Sequence, residues 1–288
     1  MIRFAKQLAL LSLALAAADT AGARGAAAQE AAPPHETFTL QSAAVGEMRR
    51  INVYTPPEYA SGRARYPVLY MPDGGMEEDF PHVAAAVDSA VRAGEMRPVI
   101  LVGIENTQRR RDMTGPTTVA RDSTIAPRVG GSAAFRRFIA DELMPEVKRR
   151  YRVNDETAII GESLAGLFIV ETFFLQPKLF DTYIALSPSL QWNNEELVRT
   201  APARLRQHRR LRAALFFASA GDDIGPEAER LAAALRANAP RGLRWEYRPR
   251  PDLKHATIYR GEEARALREW LPPRGTARPG TGQGSSPR

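Results

Sequence analysis

Short apolar runs alternate with amphipathic segments along most of the chain. Runs such as "YPVLYMPD" and "RPVILVGIEN" are bounded by turn residues and are apolar at most positions, as strands buried on both faces are. Between such runs, segments such as "FPHVAAAVDSAVRAG" and "SAAFRRFIADELMPEVKRRY" carry apolar residues at helical spacing. This alternation predicts an α/β fold with a mostly parallel central sheet and helices on both faces.

The alternation extends over one continuous unit. Two strands, "TFTLQS" and "RRINVYTP", come first, and the polar, arginine-rich stretch 107–130 is predicted to be the longest loop. Ser132 is the expected N-cap of the helix that follows. Later elements are strand "ETAIIG", helix "SLAGLFIVETFFL", strand "TYIALSP", helix "NEELVRTAPARLRQH", strand "AALFFASA", helix "PEAERLAAALRAN", strand "LRWEYRPR" and helix "GEEARALREWL". Because the sequence shows no internal repeat and no shift in composition, residues 37–272 are predicted to form one domain.

Both ends of the chain depart from this pattern. Arg3 and Lys6 precede "LALLSLALAAA", an apolar stretch too short to span a bilayer, and small residues follow it. We therefore predict a signal peptide over residues 1–28, cleaved after Ala28 or Ala23, then a linker over 29–36. The alternative is an uncleaved membrane anchor. Residues 273–288 are rich in Pro, Gly, Ser and Arg and are predicted to be a disordered tail. The mature protein is then expected to be periplasmic or secreted, without stable membrane insertion.

Composition narrows the chemistry. The formal net charge is +7, but many arginines lie beside acids on predicted helices and no nucleic-acid-binding motif is present, so no nucleic-acid partner is expected. The 288 residues include no cysteine, which excludes disulfides, thiolate metal sites and a cysteine nucleophile. The four histidines are too few and too widely spread to predict a metal site. They are His35, His82, His208 and His255.

The stretch "AIIGESLAGLF" contains a candidate nucleophile, Ser163. It resembles the turn G-x-S-x-G, in which a serine between a buried strand and a helix exposes its hydroxyl above the sheet. Gly161 fits the pattern, whereas Ala165 replaces the second glycine, and a single methyl group is small enough for that position. The helix start also favours negative charge that develops during acyl transfer. The alternative is that Ser163 only caps the helix.

A serine hydroxyl needs a base, and His255 is the leading candidate. It follows the last predicted strand, in "PRPDLKHATIY", and loops after the carboxyl ends of strands are where catalytic groups collect in α/β sheets. The alternative is a surface histidine. His82 is a rival base early in a helix, but its position before Ser163 does not fit the order nucleophile, acid, histidine.

An acid should follow the strand "AALFFASA" and orient the imidazole. Three carboxylates come next in the chain: Asp222, Asp223 and Glu227. We select Asp223, because Gly221 and Asp222 give the chain room to turn. Asp222 stays open as an alternative, and Glu227 suits the first turn of the following helix, where an acid complements the helix dipole.

An oxyanion hole needs two backbone N–H groups. One is expected from Leu164, the residue after the nucleophile. The other is expected from the loop "DGGMEED" after the strand "YPVLYMP", at Gly75 or Met76. The alternative for the paired glycines is a plain turn.

With these residues collected, the chain resembles the putative esterase family of α/β-hydrolases, which includes esterase D, feruloyl esterases, siderophore esterases and mycolyltransferases. The resemblance covers roughly residues 37–271. It rests on "RRINVYTPPEY", "YPVLYMPDGG", "VGIENTQRRRDMTGPT", "FRRFIADELMPEVKRRYRV", "IIGESLAGLF", "LFDTYIALSPSLQWNN" and "KHATIY". "RRRDMT" and "SPSLQW" are similar to the siderophore-esterase-like branch. The chain departs from that branch at "GESLAG", where "GHSxGG" is usual, so Glu162 replaces a histidine.

The resemblance implies an α/β-hydrolase fold and a serine carboxylic-ester hydrolase that acts on a small-molecule ester and needs no metal or cofactor. It implies Ser163 as nucleophile, His255 as base, Asp223 as acid, and an oxyanion hole at Leu164 with Gly75 or Met76. An acyltransferase with the same triad is one alternative. A degenerate hydrolase fold that only binds its ligand is another, favoured by Glu162 and Ala165.

Two further residues are candidates for substrate binding. Arg109 begins the run Arg109-Arg110-Arg111 in a loop after a strand, where it could attract an anionic substrate; internal ion pairs are the alternative. Trp192 follows "SPSL" and could form a wall for an acyl or aryl group, or belong to the core. No long insertion separates "SPSLQWNN" from "AALFFASA", so no large cap domain is expected.

Overall fold

A computed structural model of the protein describes residues 31–275. The predicted signal peptide and nearly all of the predicted tail lie outside these residues. The strands are β1 (His35–Ser42), β2 (Glu47–Tyr54), β3 (Tyr66–Pro72), β4 (Ile100–Ile104), β5 (Val153–Glu162), β6 (Thr182–Leu186), β7 (Ala213–Ala220) and β8 (Leu243–Arg250). The helices are α1 (Phe80–Arg92), α2 (Arg109–Met113), α3 (Ala120–Ser123), α4 (Ser132–Arg137), α5 (Met144–Arg150), α6 (Leu164–Leu175), α7 (Trp192–Gln207), α8 (Gly225–Asn238) and α9 (His255–Trp270).

All eight strands form one sheet in the order β1-β2-β4-β3-β5-β6-β7-β8. β2 pairs antiparallel with β1 and with β4, and the other neighbours pair in parallel. β1 and β8 are the outer edges. The predicted fold class, a mostly parallel sheet of an α/β protein, is confirmed.

The two faces of the sheet carry separate apolar cores. On β3, Val68 and Tyr70 enter one core, while Leu69 and Met71 enter the other, because successive side chains of a strand point to opposite faces. The first core packs under α4 to α8, and the second packs under α1 and α9. α6 lies in the first core and is apolar around nearly its whole circumference, as a fully buried helix is. This burial fixes the start of α6 firmly against the end of β5.

Several boundaries differ from the sequence-based predictions. β1 begins at His35, two residues before the predicted domain start. The stretch 107–130 contains two short helices, α2 and α3. Ser132 is not an N-cap: Gly131 holds that position, and Ser132 is a buried first helical residue whose N–H donates to Thr114 O over 3.0 Å. A π-helical stretch (Phe138–Leu143) joins α4 to α5.

The start of α9 is the difference that concerns the site. The predicted helix "GEEARALREWL" begins at residue 261, but α9 begins at His255, so this histidine is a helix residue and not a loop residue. The early start is stabilised at the helix terminus. The Lys254 N–H donates to Thr257 Oγ1 over 3.1 Å, and Thr257 N–H donates to Lys254 O over 2.9 Å. Within residues 31–275, no helix has the length and apolarity to cross a membrane.

Candidate active site

Ser163 occupies a strained turn between β5 and α6. Its backbone angles are φ 60° and ψ −117°, a region that residues with a side chain rarely adopt. Backbone hydrogen bonds hold it there: Ser163 N–H donates to Leu186 O (3.0 Å), and its carbonyl accepts from Leu167 N–H (2.9 Å) and Ser189 N–H (3.1 Å). The turn therefore fits the strained strand-to-helix geometry that the sequence pattern suggested.

Two glycines allow this turn to pack closely. A Cβ at Gly161 would stand 2.7 Å from the Cβ of Ala165, and a Cβ at Gly166 would stand 2.9 Å from the Cα of Pro188. Neither position has room for a side chain. Ala165 itself is fully buried. The alanine that breaks the G-x-S-x-G pattern is thus accommodated because Gly161 faces it.

The Ser163 hydroxyl points to the imidazole of His255 and not to its own helix. The side chain makes no capping hydrogen bond, which argues against the capping alternative. Instead, Ser163 Oγ lies 3.1 Å from Nε2 of His255, within hydrogen-bonding distance. A hydroxyl and an imidazole in this arrangement can exchange a proton.

Two adjacent aspartates hold His255 in place. Asp223 Oδ2 lies 2.5 Å from Nδ1 of the imidazole, and Asp222 Oδ1 accepts the His255 backbone N–H over 2.8 Å. The hydrogen bond to Asp223 raises the pKa of His255, against the effect of burial, and the charge of Glu162 raises it further. The Asp223 contact also favours the tautomer with the proton on Nδ1, which leaves Nε2 as the acceptor.

The other candidates for base and acid lie elsewhere. Glu227 forms an ion pair of 3.3 Å with Arg230 on α8. His82 is buried between Asp79, 3.1 Å from Nε2, and Glu263, 2.7 Å from Nδ1. The structure thus brings Asp223, and neither of the alternative acids, to the imidazole of His255.

The loop after β3 contains Gly75 and Met76, the two residues predicted to supply the second oxyanion donor. The Gly75 N–H already donates to Oε2 of Glu78 over 2.7 Å, and the same carboxyl accepts from Asn106 N–H over 3.2 Å. Leu164 is the first residue of α6, directly after Ser163. Of the two predicted loop donors, Gly75 is thus engaged by Glu78.

Asp73 supports this loop, and the sequence analysis did not identify it. It is buried and has a positive φ of 56°. Arg109 binds it with two hydrogen bonds, Nε to Oδ1 at 2.6 Å and Nη2 to Oδ2 at 2.8 Å, and Asn106 donates to Oδ1 over 2.5 Å. The signal was present in "PDGG", because aspartate tolerates left-handed backbone in turns. Arg109 is therefore engaged in an internal ion pair, which was the alternative to a role in attracting an anionic substrate.

Trp192 forms part of a cavity beside Leu164. Its ring is 9% exposed and its Nε1 donates to Gly115 O over 3.0 Å. The cavity has a volume of about 570 Å³, and Leu164, Ile125 and Ser189 also line it. Trp192 thus belongs to the core and also borders a space beside Leu164. Its contact with a substrate group stays a prediction.

Glu162, next to the nucleophile, adds a second carboxyl to the site. Its side chain is 15% exposed, and Oε1 lies 3.1 Å from Nε2 of His255. Burial raises the pKa of Glu162 to about 7, although the positive charges of His255 and Arg109 act to lower it. Among residues 31–275, no cluster of His, Asp and Glu has the arrangement of a metal site.

The sheet and the geometry around Ser163 are those of an α/β-hydrolase. A profile of the family described as "Putative esterase" matches residues 42–242, and the chain belongs to this family, as the sequence resemblance predicted.

Relatives of known function are siderophore esterases. Ferri-bacillibactin esterase BesA of Bacillus subtilis is 33% identical over 165 residues, which are 50% of this chain and 54% of that protein. Siderophore triacetylfusarinine C esterase of Aspergillus fumigatus is 32% identical over 184 residues, or 59% and 61% of the two chains. The chain thus spans between half and two thirds of the length of these two relatives.

Solved structures share the fold. An IroE-like serine hydrolase from Shewanella oneidensis has a TM-score of 0.75 and 25% sequence identity, with 83% of this chain and 80% of that chain covered. The BES protein from Bacillus cereus has a TM-score of 0.72 and 21% identity, with 83% and 96% covered, and supports the fold alone.

Proposed function

We propose that the protein is an exported serine carboxylic-ester hydrolase with Ser163, His255 and Asp223 as its triad. The observation that carries the proposal is the continuous contact from Ser163 Oγ to Nε2 of His255 (3.1 Å) and from Nδ1 to Asp223 (2.5 Å). Such a relay turns a weakly nucleophilic hydroxyl into one that attacks an acyl carbon.

The reaction proceeds in two halves. Nε2 of His255 takes the Ser163 proton as Oγ attacks the ester carbonyl, and the oxyanion is bound by the amide of Leu164 and that of Gly75 or Met76. The imidazolium then gives its proton to the leaving alkoxide, and an acyl-enzyme remains on Ser163. Water attacks the acyl-enzyme with His255 again as base, and the free acid and the Ser163 hydroxyl result.

The substrate class we propose is a siderophore ester. The named relatives act on esters of this kind. A cavity of about 550 Å³ is lined by arginines 109, 110, 111 and 128. Arg109 and Arg111 are engaged by internal carboxylates, so the positive charge available to an anionic substrate comes from Arg110 and Arg128. Export is proposed from the leader-like residues 1–28, and N-terminal sequencing of the mature protein from a periplasmic fraction tests it.

The first test is turnover of a short-chain p-nitrophenyl ester series by wild type and Ser163→Ala. We expect wild-type turnover and fluorophosphonate labelling, and a loss of about 10³-fold or more in kcat together with all labelling in the variant. Hydrolysis of a catecholate siderophore lactone, followed by mass spectrometry, tests the substrate class. A folded wild type that neither labels nor turns over any ester would contradict the proposal.

A further inference from the structure

Two carboxyl groups flank the imidazole of His255, one at each nitrogen. Asp223 lies at Nδ1, and Glu162 Oε1 lies 3.1 Å from Nε2, the same distance as Ser163 Oγ. A hydrolase triad needs only the first of these carboxylates. The second stands at the nitrogen that must accept the serine proton, so its role requires a separate explanation.

Glu162 Oε1 is a buried oxygen without a hydrogen bond from any described residue. Ser163 Oγ and Glu162 Oε1 both lie 3.1 Å from Nε2, and of these two contacts only that of Ser163 is a hydrogen bond. An ionised, buried carboxylate without a donor is unfavourable when the imidazole is neutral. This cost is removed in two ways: the imidazole can be protonated, or the carboxyl group itself can carry the proton.

The charges that act within and around this pair come from five segments of the chain. His255 on α9 and Arg109 on α2 act on Glu162 with positive charge, while Asp79, just before α1, and Asp73, just after β3, act with negative charge. Asp222 and Asp223 face His255 from the end of β7. Burial raises the pKa of Glu162 to about 7, and Glu162 and Asp223 raise the pKa of His255. Two groups that affect each other in this way titrate as one pair.

We propose that Glu162 is a second carboxylate partner of His255, which retains one proton on the pair and withholds Nε2 from Ser163 until that proton is lost. The inference rests on the proposed function, because it concerns the same base. The resting pair holds one proton between Oε1 of Glu162 and Nε2: it is either bonded to Nε2 or donated to Nε2 by the carboxyl group, and in both cases Nε2 cannot accept from Ser163. The active pair holds none. When Ser163 attacks, its proton moves to Nε2, and the resulting imidazolium is stabilised by the ionised Glu162.

The Glu162→Gln variant separates the two effects of Glu162, which are to retain a proton on the pair and to stabilise the imidazolium. Without the second carboxylate, the acid limb of the kcat/KM profile moves to lower pH by about one unit, which is about tenfold higher activity than wild type on that limb. On the alkaline plateau the variant is slower than wild type by several-fold, because the imidazolium loses one of its two partners. The profiles of wild type and variant therefore cross, and simple loss of structure does not produce a crossing.

Two variants serve as controls. Glu162→Asp retains a carboxylate on a shorter side chain, and we expect its acid limb to lie between those of wild type and Glu162→Gln. Glu229→Gln removes the same charge from an exposed position on α8, where Glu229 pairs with Arg236, and its profile should match wild type. An unchanged acid limb in Glu162→Gln, or a shift to higher pH, would overturn the inference.

A direct titration distinguishes failure of this inference from failure of the proposed function. The His255 imidazole is followed by NMR in wild type and Glu162→Gln, with its signal assigned by its loss in His255→Ala. We expect a lower midpoint in Glu162→Gln by about one pH unit. If no ester is turned over but the midpoint shifts, the proposed function fails and the coupling stands. If esters are turned over but the midpoint stays, the coupling is wrong.

Discussion

Ser163 has a conformation that is unfavourable for any residue with a side chain. Its φ of 60° costs on the order of 1–3 kcal/mol, and such strain persists only where the surroundings hold the backbone. Three backbone hydrogen bonds and the absence of side chains at Gly161 and Gly166 supply those surroundings. The strain keeps the hydroxyl on the open side of the turn, where it meets His255.

The contact between Gly161 and Ala165 gives a matched pair of variants. In Gly161→Ala, the new methyl would lie 2.7 Å from the Cβ of Ala165, and the overlap should lower the free energy of unfolding by about 1–3 kcal/mol and reduce kcat. Replacing Ala165 with glycine in the same chain removes the opposing methyl, so part of the loss should be recovered. Urea denaturation and esterase assays measure both effects. Equal losses in the single and double variants would contradict this account.

Gly161 and Ser163 could be predicted from the sequence because a local pattern specifies them. A strand, a glycine, a serine and a helix follow one another within a few positions, and such order is visible without a structure. The position of Asp73 was missed because its partners, Asn106 and Arg109, are more than thirty residues away in sequence. The contact of Glu162 with His255 is also tertiary. The sequence indicated only that Glu162 departs from the family pattern.

At the scale of elements, the first turn of α9 is the part that holds the base. Asp222 accepts the backbone N–H of His255, and Asp223 accepts from its side chain. Two neighbouring aspartates thus have different tasks: one fixes the helix start, and the other orients the imidazole. A carboxylate at a helix N-terminus is stabilised by the unpaired N–H groups there.

Separate substitution of Asp222 and Asp223 tests whether one fixes the helix start and the other orients the imidazole. Asp222→Ala should lower the free energy of unfolding by about 1 kcal/mol, as loss of a cap does, with a smaller effect on kcat. Asp223→Ala should lower kcat by about 10³–10⁴-fold with less effect on unfolding. Urea denaturation and p-nitrophenyl ester kinetics give the two quantities for each variant. The reverse ranking of kcat would indicate that Asp222 is the triad acid.

Strands with an uninterrupted run of strand-forming residues were predicted well from the sequence, and elements held by distant contacts were not. β7 and β8 coincide with the predicted "AALFFASA" and "LRWEYRPR". The short helices α2 and α3 were not predicted. α2 depends on ion pairs with distant residues: Arg111 binds Glu47 over 2.7 Å, and Asp112 binds Arg49 over 2.6 Å. Apolar periodicity does not record such contacts.

At the scale of the whole molecule, His82 joins the two helices on one face of the sheet. It lies on α1, 2.7 Å from Glu263 on α9, and its ring contacts Tyr259 edge-on at 5.0 Å between centroids. Burial lowers the pKa of His82, but Asp79 and Glu263 more than offset this and raise it to about 9. The protonated form is therefore preferred in the folded protein.

The raised pKa of His82 sets the sign of a pH effect on stability. Its contribution is fully present below the unfolded value of 6.5 and is lost as pH rises through about 9. The difference in unfolding free energy between wild type and His82→Gln should thus be largest near pH 6 and should shrink toward pH 9.5. Urea denaturation at a series of pH values measures it. A difference that grows with pH would contradict the assignment.

The outer edge of the sheet at β8 has a consequence for the behaviour of the protein at high concentration. An unpaired edge strand can add a strand from another molecule, and this is a common route to aggregation. β8 has a charged residue at every second position from 244 to 250, and the proline at position 249 lacks a backbone N–H. Arg248 and Arg250 are also tied to Glu262 of α9. These features disfavour edge-to-edge association at β8, so the strand that precedes His255 also opposes aggregation.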